Sequence, residues 1–584
     1  MQPVDFTTLT AVYTDLQANW LPARLEQVYQ RDRHTICLAL RTFKQRGWLT
    51  ISRHPQAAHL CIGDPPPKAP DTFTFSDQLR HQLNGLALVA ITPVAPWERA
   101  LDLQFAKRPG DAILWHLYVE IMGKYSNIIL ANADNQVVTV AQQVSEQKSS
   151  VRPLLTGQPY ELPPALTQTP PSLSEPQPRW QERVSLIPGS LKRQLLKTYR
   201  GLSSQLVESA IREAIRSGIA AANLHPEQTT DTLTQADWDA LYQRWQEWLT
   251  TLEKGTFQPG WTQNGYTVMG WGMVQPVESV QSLVYRYYRD RLNQQEFAQL
   301  RHKLRQKVDN LLGKLGQKAQ TFRDRLNQSD QADTYRQQAD LLMAHLHEWE
   351  AGMQSITLTD FETGEPVTIP LNPEKNAVSN AQSLYKRHQK LKRARNAVEP
   401  LLAEVSQELH YLEQVAESLS QLEDYYSTED LQTLEEISEE LSQQGYLETP
   451  EQRQQSNTDE SHPHRYQSPS GFEVLVGRNN RQNDLLTFRL AGDYDLWFHT
   501  QEIPGSHVLL RLQPGSVADE PDLQFAANLA AQYSQGRQSE QVPVVYTEPK
   551  HVYKPKGAKP GMVIYKQERI LWGKPENGRL INKL

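Results

Sequence analysis

Two stretches of hydrophobic residues spaced three and four apart constrain the fold of this chain more than any other feature. The first runs from Phe297 to Leu326 and the second from Leu391 to Leu422. Such spacing places apolar side chains along one stripe of a helix, as in the seam of a coiled coil. Because an insert without this spacing separates them, we expect the two stretches to pair as an antiparallel coiled-coil hairpin.

The two arms carry opposite charge. Residues 286–325 contain eleven basic and four acidic side chains, whereas residues 399–460 contain seventeen acidic and one basic. Opposite charge favours pairing of the arms over self-association. The start of the second arm is instead basic, and such a run is either a solvated helix face or a contact for RNA. Its candidate binding residues are Lys386, Arg387, Lys390, Lys392 and Arg393.

The rest of the 584-residue chain is long enough for several domains. Residues 1–170 mix strand-like runs with helices, including a helix predicted over 112–123. Residues 180–270 are mainly helical, 283–350 and 384–442 are the arms, 351–383 are an insert with strand-like segments, 443–464 are a polar linker, and 465–584 again mix strands and helices. The predicted fold class is therefore multidomain α+β.

A helix, a tight turn and a second helix are predicted between residues 191 and 218. The turn contains Gly201, which adopts positive φ easily, and Ser203 is a good N-cap for the second helix. This is the pattern of a helix-hairpin-helix, which often binds nucleic-acid phosphates through backbone N–H groups. A plain pair of packed helices is the alternative.

A polar segment in the last domain is the strongest candidate for a binding face. Residues 477–484 combine two arginines with three asparagines, and an aromatic strand and a tight turn follow them. Guanidinium and amide groups hydrogen-bond phosphate oxygens, so we interpret this face, together with the basic segment 550–566, as a contact for a phosphate backbone. The candidate residues are Arg478, Asn479, Asn480, Arg481, Asn483, Asp484, His499, Ser506 and His507.

Other chemistry is disfavoured for this segment. His499 and His507 lack a third histidine and the close spacing of zinc ligands. Ser506 does not lie in the G-x-S-x-G pattern of a hydrolase nucleophile. We therefore expect no metal, no cofactor and no catalytic residue.

Composition bounds the environment of the protein. The net charge of −7 argues against a surface that is basic throughout, although it leaves local basic patches open. Cys37 and Cys61 are expected as free thiols in a reducing compartment. The N-terminus lacks the apolar segment of a signal peptide, and no apolar run approaches the roughly 18 residues needed to cross a bilayer. A cytoplasmic protein without a membrane partner is expected.

These elements, in this order, resemble the NFACT family over nearly the whole chain. The most specific segment is VGRNNRQNDLLTFRLAGDYDLWFHTQEIPGSHVLLR, residues 476–511. Residues 120–130, EIMGKYSNIIL, and 376–386, NAVSNAQSLYK, resemble two further family segments. The resemblance implies an NFACT-N domain similar to a glycosylase N-domain, a helix-hairpin-helix segment, a long antiparallel coiled-coil hairpin with a middle insert, and an NFACT-R domain.

The resemblance also implies a role in ribosome quality control. Such proteins bind large ribosomal subunits that still hold peptidyl-tRNA, and recruit charged tRNA, alanyl-tRNA in bacteria, for mRNA-independent tailing of the stalled nascent chain. The ribosome's own RNA is the peptidyl transferase, so the family member is not expected to be an enzyme. The implied partners are the large subunit, through rRNA and stalk-base proteins, tRNA, and the peptidyl-tRNA nascent chain.

The family's tRNA-recruiting residues map onto the first domain. An Asp-Arg pair of the family corresponds to Glu98-Arg99 here, with one more methylene in the acid. Lys124 stands where the family usually has arginine, which keeps the charge but loses the bidentate fork. The resemblance thus implies one half of a tRNA grip at Glu98, Arg99, Glu120, Ile121, Met122 and Lys124, and the other half on the polar face of the last domain.

Three other functions compete with this hypothesis. A fibronectin-binding adhesin, after the family's older name, conflicts with the missing secretion signal. A coiled-coil scaffold would leave the arginine- and asparagine-rich turn unexplained. A DNA glycosylase of similar domain order would need an N-terminal proline followed by glutamate, whereas this chain begins Met1-Gln2-Pro3.

Overall fold

The computed structural model describes residues 1–66, 70–145, 147, 149, 152–164, 166–218, 224–448 and 461–583. They form two compact units, one comprising Met1–Gln294 and the other the described residues from Gln295 onward. Within the described part of the chain, no helix is both long and apolar enough to cross a membrane.

The first unit is built on an antiparallel sheet of nine strands in the order β4-β3-β2-β1-β5-β6-β7-β8-β9. The strands are β1 (Ala23–Asp32), β2 (Thr35–Arg41), β3 (Arg46–Ser52), β4 (His59–Gly63), β5 (Ala87–Pro93), β6 (Ala100–Ala106), β7 (Trp115–Glu120), β8 (Asn127–Asn132) and β9 (Val137–Val140). Helices α1 (Phe6–Trp20) and α2 (Thr74–Leu83) contribute to the core of the sheet. Asp5 caps α1 by accepting a 2.8 Å hydrogen bond from the backbone N–H of Thr8. Cys37 and Cys61 are both buried free thiols, as predicted.

The prediction of a helix over residues 112–123 is wrong, because β7 occupies this position. It pairs with β6 on one side and β8 on the other. Its sequence, WHLYVE, contains aromatic and β-branched residues, which pack well on a pleated surface. The two flanking strands supply backbone partners for both of its edges, so tertiary pairing overrides the helical spacing.

A helical segment follows the sheet. It contains α3 (Gln177–Ser185), α4 (Leu191–Thr198), α5 (Ser204–Arg216) and α6 (Gln235–Lys254). The predicted turn between α4 and α5 is confirmed: Gly201 has φ 75°, and Ser203 Oγ accepts from the N–H of Leu206 at 3.0 Å. A small sheet of order β11-β10-β12 follows α6. Its strands are β10 (Gly260–Trp261), β11 (Tyr266–Thr267) and β12 (Gln275–Pro276).

The predicted helical hairpin is present. Its elements are α7 (Val280–Ser329), α8 (Ala332–Ala344), the strands β13 (Ser355–Thr359) and β14 (Pro366–Pro370) of the insert, and α9 (Ala377–Gln421). In the second unit, the ring centre of Phe297, near the start of the first arm, lies 5.9 Å from the ring centre of Tyr425. Tyr425 comes just beyond the end of α9. Farther along, Asp330 pairs with Arg395 at 2.8 Å, so the two arms run antiparallel. The knobs-into-holes packing of a coiled coil stays a prediction.

The second arm is not one continuous helix over residues 384–442. Helix α9 ends at Gln421, and a separate helix α10 (Thr428–Gln443) begins after a turn. Ser427 and Asp430 form a capping box at its start, which a heptad count does not detect. Leu434 and Leu441 of α10 join the apolar cluster of α7 and α9. Most of the predicted linker, 449–460, lies outside the described residues.

The C-terminal domain contains a six-stranded sheet of order β15-β16-β18-β17-β19-β22 and a two-stranded sheet, β20-β21. The strands are β15 (His464–Gln467), β16 (Glu473–Val476), β17 (Leu496–Thr500), β18 (Val508–Leu510), β19 (Val542–Thr547), β20 (Val552–Tyr553), β21 (Ile564–Tyr565) and β22 (Arg569–Gly573). The helices are α11 (Asn480–Leu485), α12 (Glu520–Gln532) and α13 (Pro575–Arg579). Phe498 packs with the alanines of α12, whereas Trp497 packs with Val545 and Val552. Both faces of β17 are therefore covered.

Candidate nucleic-acid interface

The polar turn 477–484 packs against the acidic helix α10. Arg478 leaves 3% of its side chain exposed and donates to Asp430 Oδ1 at 2.5 Å. Its other terminal nitrogen lies 3.4 Å from Glu429 Oε2. A guanidinium removed from water needs such carboxylate partners, because an unpaired buried charge is costly. Arg478 is therefore engaged by α10 in this structure.

The neighbouring side chains of the turn meet the same helix. Asn479 donates to Glu436 at 2.5 Å, while its Oδ1 caps α11 by accepting from the N–H of Gln482 at 2.9 Å. Asn480 donates to Glu440 at 3.1 Å, and Arg481 donates to Glu439 at 3.1 Å. The carboxylates recur along α10 at the spacing that places them on one helical face. Arg481 is the more accessible arginine, with 32% of its side chain exposed.

The acidic part of the second arm thus finds its basic partners in the C-terminal domain. Besides the contacts of α10, Arg537 pairs with Glu417 of α9 at 3.1 Å. Between the two arms, the described residues form one ion pair, Arg395–Asp330, and there the second arm supplies the cation. The prediction that opposite charge pairs the two arms is therefore wrong. Opposite charge instead joins α9 and α10 to the C-terminal domain.

The other candidate RNA-binding residues of this domain are largely buried and stabilise the polar turn through contacts within the domain. Asn483 Oδ1 accepts from the backbone N–H of His507 at 3.0 Å, and His507 Nδ1 lies 2.7 Å from Thr487 Oγ1. Burial lowers the pKa of His507 well below its usual value and lowers that of His499 to about 4. Ser506 is also buried. The buried candidates hold one another in place, and their contact with RNA stays a prediction.

The basic segment 550–566 is partly fixed onto the same region. Lys554 forms an ion pair with Asp484, whose Oδ1 also accepts from the backbone N–H of Gly561 at 3.2 Å. Lys559 Nζ lies 4.7 Å from the ring centre of Tyr411 and 4.5 Å from that of Tyr446. Burial lowers the pKa of Lys559. These lysines therefore anchor the segment to the helices.

In the first unit, the predicted tRNA-binding residues lie together at one end of neighbouring strands. Arg99 precedes β6, and its carbonyl accepts from the N–H of Ile121, which follows β7, at 2.8 Å. Glu98 and Ile121 are buried, whereas Met122 is half-buried. Arg99 is half-buried and donates to the carbonyl of Val4 at 3.4 Å.

Glu120 has a structural partner that the sequence did not reveal. It is 1% exposed, and Arg152 Nη2 donates to its Oε1 at 2.6 Å while the Tyr160 hydroxyl donates to the same oxygen at 2.9 Å. Burial and the Glu120 charge raise the pKa of Tyr160. Lys124, by contrast, is exposed, and its Nζ lies 5.0 Å from the ring centre of the exposed Tyr125. Lys124 is thus the most accessible cation of this group.

The five candidate cations of the basic run in α9 are arranged differently from the other candidates, because all five are exposed. No described residue forms an ion pair with any of them. The guanidinium carbon of Arg387 lies 4.5 Å from the ring centre of Tyr335, and the Arg387 side chain is nevertheless exposed. The predicted residues are Lys386, Arg387, Lys390, Lys392 and Arg393.

Comparison with known families assigns both parts of the chain. Residues 5–460 match the NFACT N-terminal and middle domains, and residues 462–567 match the NFACT protein RNA binding domain. The chain belongs to the NFACT family.

Full-length relatives of this NFACT protein agree with that assignment. The Rqc2 homolog RqcH of Bacillus subtilis (strain 168) is 30% identical over 585 residues, 97% of each chain. The protein of the same name from Streptococcus suis (strain 05ZYH33) is 30% identical over 579 residues, again 97% of each. Among solved structures, the C-terminal part of the fibronectin/fibrinogen-binding protein from Streptococcus suis has 30% identity, a TM-score of 0.38, and coverage of 49% of this chain and 99% of that one.

Two features of the NFACT domains are not predicted by local sequence patterns. Arg152 lies 32 residues from Glu120, so no local spacing connects them. The carboxylates of α10 were recognised only as an acidic run. The sequence nevertheless contained both halves of the contact between the polar turn and α10. A compact arginine- and asparagine-rich turn occurs in a chain that also carries a dense acidic helix.

Proposed function

We propose that this NFACT protein acts in ribosome quality control. It binds large ribosomal subunits that hold peptidyl-tRNA and recruits charged tRNA, alanyl-tRNA foremost, for mRNA-independent extension of the stalled chain. The observation that carries the proposal is the 97% coverage shared with the Rqc2 homolog RqcH, together with the RNA binding domain at residues 462–567. The protein is cytoplasmic in this proposal.

The accessible charge supports large-subunit binding through α9. The exposed cations between Lys386 and Arg393 are free of carboxylate partners among the described residues. They can therefore neutralise RNA phosphates without first breaking an intramolecular pair. Acidic surfaces of ribosomal proteins at the stalk base would meet the same charge.

The protein positions substrates in this proposal and performs no bond chemistry itself. Peptide-bond formation belongs to ribosomal RNA, and the contribution of the NFACT protein is to hold a charged tRNA beside the peptidyl-tRNA. Bringing two reactants into place lowers the entropic part of a barrier without a catalytic side chain. Arg99 and Lys124 are the residues of the first unit that would contact the tRNA.

Co-sedimentation with purified large subunits tests the proposal. We expect the full chain to pellet with subunits at about 50 mM salt and to be released at several hundred millimolar, because phosphate contacts depend steeply on salt. Sequencing the RNA that co-purifies with the chain should show enrichment of alanine tRNA. An adhesin or an RNA-free scaffold would remain in the supernatant at low salt, and that result would overturn the proposal.

A further inference from the structure

A groove of about 510 Å³ lies in the second unit between α10 and the helical turn that follows α11. Its size falls within the range of small-ligand sites, about 300–1,000 Å³. The lining residues on which the inference depends are Phe488, Arg489, Arg481, Lys554, Glu436 and Asp484.

A π-helix, Leu486–Leu490, presents two of these side chains to solvent. Leu486 and Thr487 are buried, and Thr487 Oγ1 accepts from Trp497 Nε1 at 3.1 Å, which fixes the π-helix to the sheet. The wider turn leaves Phe488 41% exposed and Arg489 exposed beside it. Single π turns occur often at functional sites. A large aromatic ring held outward on a fixed backbone is a ready surface for stacking.

The charge around Phe488 favours an anionic ligand. Arg489 has no carboxylate partner among the described residues, in contrast to Arg478, Arg481 and Lys554. One terminal nitrogen of Arg481, Nη2, is buried without a hydrogen-bond acceptor in the described structure. Arg481 also lines the groove and keeps 32% of its side chain exposed, so a phosphate oxygen entering the groove can accept a charge-assisted hydrogen bond from its accessible part.

We propose that this groove binds a single-stranded RNA segment, with one unpaired base stacked on Phe488 and an adjacent phosphate held by Arg489 and Arg481. This inference rests on the proposed RNA-binding function and assigns its site within the domain. Stacking on an aromatic side chain and a phosphate contact are the two interactions that unpaired nucleotides offer. Bases inside a duplex cannot reach Phe488, because their faces are already stacked.

The acidic residues of the groove limit how much RNA it takes. Glu436 and Asp484 also line it, and their carboxylates repel further phosphates. The groove therefore accommodates one nucleotide rather than a continuous strand. An acidic peptide would use the cations but would leave the exposed ring of Phe488 without a role.

Fluorescence anisotropy with the full chain tests the site, using labelled eight-nucleotide oligouridylate and oligoadenylate and a duplex of equal length. We expect Phe488→Ala to weaken single-strand binding about tenfold or more, and Phe488→Trp to preserve it. Arg489→Gln should weaken binding several-fold and lower the slope of log Kd against log salt by about one. The duplex should bind less tightly than either single strand.

Two substitutions elsewhere in the domain serve as matched controls. Trp572→Ala removes an aromatic side chain that is 57% exposed on β22, and Arg569→Gln removes an exposed arginine from the same strand. Both should leave single-strand affinity within about twofold. Should Phe488→Ala fold poorly, Phe488→Leu removes the aromatic ring while keeping an apolar side chain, and Arg489→Gln tests the charge.

Either of two results would overturn the groove assignment. The first is unchanged affinity of Arg489→Gln together with Phe488→Ala or, if that variant does not fold, with Phe488→Leu. The second is a wild-type chain that binds none of the single strands. Neither result bears on co-sedimentation with large subunits, so the failure of this site and the failure of the proposed function can be told apart.

Discussion

Arg478 donates a 2.5 Å hydrogen bond to Asp430, a residue 48 positions earlier in the chain, and only 3% of its side chain is exposed. This contact joins the NFACT-R domain to α10, and Glu429 supports it from 3.4 Å. An arginine predicted to bind RNA thus holds the NFACT-R domain on α10. Contacts of Asn479, Asn480 and Arg481 with α10 extend the same interface.

Arg478→Ala should therefore destabilise the second unit. Removing one partner of a buried ion pair typically costs about 3–5 kcal/mol, because the remaining charge is left without compensation. Urea unfolding measures the loss. The control is Arg465→Ala, since Arg465 is 58% exposed and lies 3.8 Å from Glu473, and a surface pair contributes about 0–1 kcal/mol. Equal effects of the two substitutions would contradict the structural role of Arg478.

Glu120→Ala should lower stability, whatever its effect on tRNA. The substitution leaves Arg152, which has 11% of its side chain exposed, without its carboxylate, and we expect a loss of about 3 kcal/mol or more. The double variant Glu120→Gln with Arg152→Met should recover part of that loss, because neither remaining group is charged. A stable Glu120→Ala protein that loses only tRNA binding would instead support a direct role in recognition.

Arg99→Ala should abolish tRNA association and leave large-subunit binding largely intact. The reason is that the Glu98-Arg99 pair lies in the first unit, whereas the exposed basic run of α9 lies in the second. Northern blotting of tRNA recovered with the chain, beside subunit co-sedimentation, measures both activities. Arg24→Ala removes an exposed arginine of the same sheet and should change neither. Wild-type tRNA recovery by the Arg99 variant would remove Arg99 from the interface.

Replacing Lys390, Lys392 and Arg393 with glutamate should weaken binding to the large subunit, with little effect on the stability of the chain. These side chains are exposed and unpaired among the described residues, so thermal unfolding should shift by no more than a few degrees. A matched control reverses Lys107, Arg108 and Lys254, which are also exposed and give the same change in net charge. Equal co-sedimentation of the two triple variants would show that the position of the charge on α9 is irrelevant.

The stability of the first unit should fall as the solution is acidified below about pH 6.5. Burial lowers the pKa of His59 to about 4, with its ring stacked 4.7 Å from Tyr288. The unfolded chain then binds a proton that the folded chain does not, so the unfolding free energy decreases between pH 6.5 and about 4. The slope contributed by His59 is at most about 1.4 kcal/mol per pH unit. Denaturant titrations at pH 7, 6 and 5 should show a smaller slope for His59→Gln, and an unchanged slope would contradict this assignment.

Local patterns predicted the elements better than they predicted the roles of side chains. The heptads gave the long helices, and Gly201 and Ser203 gave the turn between α4 and α5. Helical spacing wrongly predicted a helix at β7, where strands on both sides supply the hydrogen-bond partners. The heptads also did not show that α9 ends at Gln421 or that a capping box begins α10. Exposure was the quantity that local sequence could not supply: it separates the buried Arg478 from the exposed Arg489.

The sequence by itself determined the order of the domains, the antiparallel helical arms and membership of the NFACT family, because periodicity, turn chemistry and family segments are local. Only the tertiary structure decided which charges remain available. Carboxylates of α10 reach Arg478 and Arg481 across more than 40 residues, and Arg152 reaches Glu120 across 32. A buried charge takes the nearest opposite partner in space, and that partner is fixed by folding rather than by spacing along the chain.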